Sequence, residues 1–274
     1  MIQEFGTPDS RHAEWKRLGV FLGLGCGAFI LSVVGSAFVP RSLPESLRRW
    51  MHPNIFVPLG TALTVIMLRR DCRDFRVSEP FNPWPVAVSS TGWFVAGVAL
   101  LGATVPVFIA AFGFRWSSNG SFNGSVMALT LWGILLTAAA EEIAFRGYAL
   151  WRLIRLVGFW PAQVIVAGLF TVSHLTLGGY ALLPALIGTT AGSLLFGAVF
   201  TRTRSLAAPI AMHSGWNIAQ HLLVSPLDQT ATPLLLRLTH APSPSEHFLM
   251  LLWIGLVLSA ATVGALRFRT NAAL

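Results

Sequence analysis

This sequence predicts an all-α membrane protein, a bundle of about eight transmembrane helices, on three observations. Apolar residues make up 54% of the 274 and charged residues only 11%, at a mean hydropathy of +0.65, more apolar surface than a soluble core consumes. Apolar runs long enough to cross about 30 Å of hydrocarbon recur along the whole chain. The basic residues fall in short segments between those runs rather than on one face. The formal charge of +8 therefore orients the chain in a bilayer and does not describe a nucleic-acid surface.

The runs lie, in order, at Leu18–Val39, Asn54–Leu68, Val86–Phe112, Val126–Leu150, Phe159–Leu177, Leu182–Phe200, Leu206–Val224 and Phe248–Leu266. The first follows a polar stretch that ends at Arg17 and exceeds the h-region of a cleaved signal peptide, so it reads as a retained span. The second is short, which suits a tilted or re-entrant segment. With the N-terminus inside, 14 of the 19 Lys and Arg residues fall on the cytoplasmic side and five outside, which supports eight spans with both termini cytoplasmic. Cys26 in an apolar run and Cys72 in a basic loop occupy different environments and offer no disulfide framework.

Polar stretches divide the chain into three regions. Residues 1–124 form an N-terminal three-span region whose connector, Asp71–Pro85, is polar and proline-containing. Residues 125–224 hold four spans, and 225–274 hold an outer loop and the last span. Two Asn-Gly-Ser triplets, at Asn119 and Asn123, fit the glycosylation pattern but read as a flexible turn in the outer loop Gly113–Ser125. The outer segment Ser225–His247 is the other long polar stretch, with four prolines.

Function is written in the polar residues that interrupt the apolar runs. Only 11 acids occur in the chain, and nine read as lying in polar segments; the remaining two are adjacent, in Ala138-Ala139-Ala140-Glu141-Glu142-Ile143-Ala144-Phe145-Arg146-Gly147. An ionised carboxylate in hydrocarbon costs several kcal/mol unless it is paired, protonated or facing a wet cavity, so the pair marks a functional site. Glu142 and Arg146 are one helical turn apart in the favourable order and can pair, a contact that also serves as a simple helix-end salt bridge. Glu141 points about 100° away from that pair.

The fifth run carries His174 in Phe170-Thr171-Val172-Ser173-His174, and the seventh carries His213 and Asn217 in His213-Ser214-Gly215-Trp216-Asn217. His213 and Asn217 share a helix face, and all four groups lie roughly 11–22 Å from the cytoplasmic ends of their helices at 1.5 Å per residue. Taken singly, each His or Asn serves equally well as interhelical hydrogen-bonding glue, and His221 reads that way. Taken together, two acids, two histidines and an amide at one depth suit hydrolysis. A carboxylate held from full solvation acts as general base toward water, a histidine positions that water, and a second histidine with an amide donates to an oxyanion. Serine catalysis is less attractive, because there is no G-x-S-x-G elbow. A metal site is the chemical rival, although H-E-x-x-H is absent and adjacent acids cannot easily face one ion.

These residues resemble a known family. Glu141-Glu142-Ile143-Ala144-Phe145-Arg146 matches E-E-x-x-x-R, Phe170 to His174 matches F-x-x-x-H, and His213 to Asn217 matches H-x-x-x-N, the motifs of the CAAX protease and bacteriocin-processing family. The resemblance, over about Val126 to Val224, is to type II CAAX prenyl endopeptidases, intramembrane glutamic proteases of eight spans, in a bacterial or archaeal form. It implies that Glu141 activates water with His174, that His213 and Asn217 form the oxyanion site, and that Glu142, Arg146 and Phe170 support them. It implies no cofactor and no metal. The partners it implies are the lipid bilayer and a lipidated or membrane-embedded peptide substrate, with no nucleic acid.

The expected function is therefore an intramembrane endopeptidase. Its alternatives are a non-enzymatic bacteriocin-immunity or scaffold protein of the same family, and a small transporter whose acids and histidines carry protons. The lack of an internal repeat weighs against the transporter.

Overall fold

The computed structural model describes residues 8–38, 40, 51–71, 83–118, 124–176, 181–223, 234–238 and 243–267. Each predicted run is helical: α1 (Pro8–Ala37), α2 (Met51–Asp71), α3 (Pro83–Gly102) with α4 (Val105–Phe112), α5 (Gly124–Arg146) with α6 (Tyr148–Val157), α7 (Phe159–Thr176), α8 (Leu182–Thr203), α9 (Ala207–Leu223) and α10 (Pro244–Arg267). Six helical segments among the described residues are long and apolar enough to cross a membrane. The other two predicted spans are shorter: the apolar part of α2 is Asn54–Met67, and α9 is a 17-residue helix whose His213, Ser214, Asn217, Gln220 and His221 dilute its apolar character.

Three runs are not the uninterrupted helices that apolarity alone predicts. The third breaks at Ala103 and Thr104, because Pro106 has no N–H to return to the preceding turn; the Thr104 hydroxyl donates to the Leu101 carbonyl at 2.6 Å. The fourth ends at Arg146 instead of Leu150, and after Gly147 the chain resumes as the short α6, with Tyr148, Leu150, Arg152 and Leu153 on its buried face. Gly158, at φ 86°, then turns the chain into α7, a conformation that a side chain would strain. The sixth carries a π-helical turn at Ala185–Thr189 just after Pro184.

Two short strands lie within segments that the sequence assigns to outer loops. β1 (Phe114–Ser118) and β2 (Leu234–Leu238) pair antiparallel, from Phe114 opposite Leu238 to Ser118 opposite Leu234. Phe114 is buried and stacks on Phe108 at 5.2 Å, which anchors the ribbon to α4. The first triplet, Asn123 of the second and most of the Asp71–Pro85 connector lie outside the described residues.

Helices α3 and α9 cross in backbone contact. A Cβ on Gly97 would run into the Met212 carbonyl, and one on Gly215 into the Phe94 carbonyl, so two backbones meet where each helix offers no side chain. On its other side α9 lies against α5 and α8. Helix α8 packs between α7 and α10, burying Leu195, Phe196, Ala198 and Val199.

The N-terminal helices pack on the same assembly. Gly60 of α2 sits against Ile143, and Thr64 packs at Gly147. Glu14, which the sequence reading leaves in a polar segment, lies on α1 and pairs with the buried Arg152 of α6, whose Nε also donates to the Tyr148 hydroxyl at 2.7 Å. His12, His52 and His247, outside the predicted apolar runs, also lie in helices, α1, α2 and α10.

Candidate active site

Helix α5 delivers two carboxylates to one buried layer, and they have different surroundings. Glu142 is fully buried, and its Oε1 accepts from Arg146 Nη1 at 3.0 Å, the pairing that one-turn spacing predicts. Arg146 is fully buried as well. Its Nη2 donates to the Ser193 hydroxyl at 2.6 Å and to the Ser193 carbonyl at 3.2 Å, and its planar face lies over the Phe170 ring at 4.5 Å. That arrangement satisfies a cation in hydrocarbon by charge, by hydrogen bonds and by an aromatic face together.

Helix α9 brings His213 onto the same carboxylate. His213 Nδ1–H donates to Glu142 Oε1 at 2.9 Å, and Nε2 stands 3.7 Å from Glu141 Oε2. The ring is 5% exposed, stacked on Phe196 at 4.4 Å with a 19° interplanar angle, and meets Phe170 at 6.3 Å. Its tilt is thus fixed by a ring on one side and a carboxylate at one edge. Glu141 keeps a quarter of its side chain exposed, and its carboxylate lies within electrostatic reach of His213, His174, Glu142 and Arg146.

Helix α7 supplies Phe170 and His174. His174 Nδ1–H donates to the Phe170 carbonyl at 2.9 Å, so in the neutral ring the lone pair resides on Nε2. The two rings sit 4.4 Å apart, and Phe145 meets Phe170 edge-on at 5.1 Å. Phe170 therefore touches members of the set from α5, α7 and α9 at once. One residue along from Phe170, the Thr171 hydroxyl meets that of Thr190 at 2.8 Å, tying α7 to the π-turn region of α8.

Two details differ from the sequence reading. Glu142 does not serve Arg146 alone; its Oε1 also bonds His213, whose other ring nitrogen stands 3.7 Å from Glu141. Asn217 is half-buried, and among the described residues no side-chain hydrogen bond joins its amide to His213, one turn before it on the same helix. Sequence reasoning missed Ser193 and Phe196. Both sit in α8, a run whose composition gives no sign of chemistry; a serine in an apolar helix is ordinary, and only its position against Arg146 distinguishes it.

Chemically, the set can hold and move a proton. With Glu141, Glu142 and Arg146 ionised the layer carries one net negative charge, and one further proton shared between Glu141 and His213 neutralises it. Among the described residues no group of three or more His, Cys, Asp or Glu side chains is disposed to hold a metal ion.

No curated protein and no solved structure matches the chain. A family model does, over a segment that contains all three motifs and leaves out the N-terminal helices and α10: residues 123–219 match the family described as type II CAAX prenyl endopeptidase Rce1-like.

Proposed function

We propose that the chain is an intramembrane endopeptidase that hydrolyses a peptide bond in a lipidated, CAAX-type or membrane-embedded substrate. The observation that supports this reading is the meeting of Glu141 with His213, inside a segment that matches an endopeptidase family. Residues 125–224 form the catalytic unit, in a cell membrane with both termini on the cytoplasmic side.

Glu141, the more exposed acid, takes a proton from water while the water oxygen adds to the peptide carbonyl carbon. His174 assists through Nε2, which accepts a hydrogen bond from that water. The tetrahedral oxyanion is held by donors from α9, the amide of Asn217 and the Nε2–H of His213 in its doubly protonated form. Glu141 then returns the proton to the departing nitrogen as the C–N bond breaks, leaving a carboxylic acid and an amine, whose proton exchange gives carboxylate and ammonium. Glu142, Arg146 and Phe170 keep His213 and the α5 carboxylates in place.

The test is cleavage of a fluorogenic peptide ending in a farnesylated CAAX-type tetrapeptide, by the purified full chain in liposomes. Glu141→Gln should abolish cleavage while leaving the unfolding temperature within a few degrees of wild type. Full cleavage by that variant would remove Glu141 from the mechanism. Abolition by a chelator with rescue by one metal ion would replace the glutamate reading with a metal one.

A further inference from the structure

We propose that Ser193, which lies outside all three motifs, is a positioning residue for His213, acting through Arg146 and Glu142. Four buried groups form one chain of hydrogen bonds across three helices. Ser193 Oγ on α8 accepts from Arg146 Nη2 at 2.6 Å, Arg146 Nη1 donates to Glu142 Oε1 at 3.0 Å, and the same Oε1 accepts from His213 Nδ1–H at 2.9 Å. The far end of that chain is His213 Nε2, 3.7 Å from Glu141.

The geometry makes Ser193 a controlling end rather than a bystander. A guanidinium is a rigid plane, so two anchored nitrogens fix its orientation. Here one anchor is Glu142 and the other is Ser193, while Arg146 Nε has no hydrogen-bond partner among the described residues. Phe170 covers the face of the plane and does not set its rotation. Removing the Ser193 hydroxyl leaves Nη2 with the longer contact to the Ser193 carbonyl, at 3.2 Å, and frees the plane to turn. Glu142 Oε1 is shared between Arg146 and His213, so a turn of the guanidinium redistributes that oxygen toward His213. Ser193, Arg146, Glu142 and His213 are all buried, and charge-assisted bonds between buried groups transmit such a change.

The position of His213 does not depend on what the protein does; the catalytic consequence rests on the endopeptidase reading. The two are separated by ¹⁵N spectroscopy of histidine-labelled full-length protein in nanodiscs, with the His213 signals identified by their loss in His213→Gln. Ser193→Ala, and Ser193→Cys, which keeps the volume, should move the His213 Nδ1 resonance. Thr201→Ala should not, since it removes a hydroxyl from the same helix that bonds only to its own backbone turn. On the farnesylated reporter the Ser193 variants should lose about 10-fold in kcat with KM nearly unchanged, the loss expected for one hydrogen bond to a charged group. His213 resonances that stay in place in both Ser193 variants would overturn the proposal, whether or not the wild-type protein cleaves the reporter. Resonances that move with no wild-type cleavage would retain Ser193 as a positioning residue and discard the endopeptidase reading.

Discussion

At the scale of single residues, Glu142 and Arg146 are both fully buried and each depends on the other. Removing one partner of such a pair leaves an uncompensated charge in a medium that cannot solvate it, which costs about 3–5 kcal/mol. Arg146→Met should therefore lower stability in detergent unfolding by that order. Glu142→Gln combined with Arg146→Met should cost clearly less than the sum of the two single changes. Equal and additive losses would mean that the pair is not coupled in the folded protein. Asn217→Ala tests a separate role: an oxyanion donor should cost about 10²–10³-fold in kcat when removed, with stability unchanged.

The same residues show what can be read without a structure. Glu142 with Arg146 follows from the helical period, since both partners lie on one helix one turn apart. The bond from His213 to Glu142 joins residues 71 positions apart on different helices, and no spacing rule reaches across that distance. Ser193 stayed hidden for the same reason.

At the scale of elements, the crossing of α3 on α9 sets where His213 stands. Gly215 is two residues from His213, and its Cα hydrogen lies where the Phe94 carbonyl needs room. Gly215→Ala and Gly97→Ala should each push the helices apart, costing about 1–3 kcal/mol as overpacking does. His213 should shift from Glu142 as a result, so activity should fall alongside stability, whereas Gly92→Ala, with open space at its Cβ, should change neither. Apolarity and length located each of these helices. Breaks came less easily. The Pro106 interruption falls inside a continuous apolar stretch, where hydropathy registers no change, and the turn at Gly147 falls within a run that hydropathy carries through to Leu150. The β1–β2 ribbon depends on pairing two segments more than a hundred residues apart, which local composition does not encode.

At the scale of the whole molecule, the family match stops at residue 123, yet the N-terminal helices are fastened to the matched segment at two depths. Glu14 pairs with Arg152, and α2 packs against α5 at Gly60 and Thr64. Arg152 is buried against an acid with a fifth of its side chain exposed, so Glu14→Ala should weaken the attachment of α1 while leaving the Glu142 layer intact. Limited proteolysis that releases α1 from the variant but not from wild type would register this. Orientation is open to measurement too: thiol labelling of single cysteines placed at positions 10 and 270 should succeed from the cytoplasmic side alone.

The central claim is that Glu141, brought beside His213 by the packing of α9 on α5, performs hydrolysis. The most direct measurement compares wild type and Glu141→Gln on the farnesylated CAAX-type reporter in liposomes, with the product identified by mass. Cleavage at one peptide bond by wild type and none by the folded variant is the expected result. Equal cleavage by the two proteins would contradict the claim.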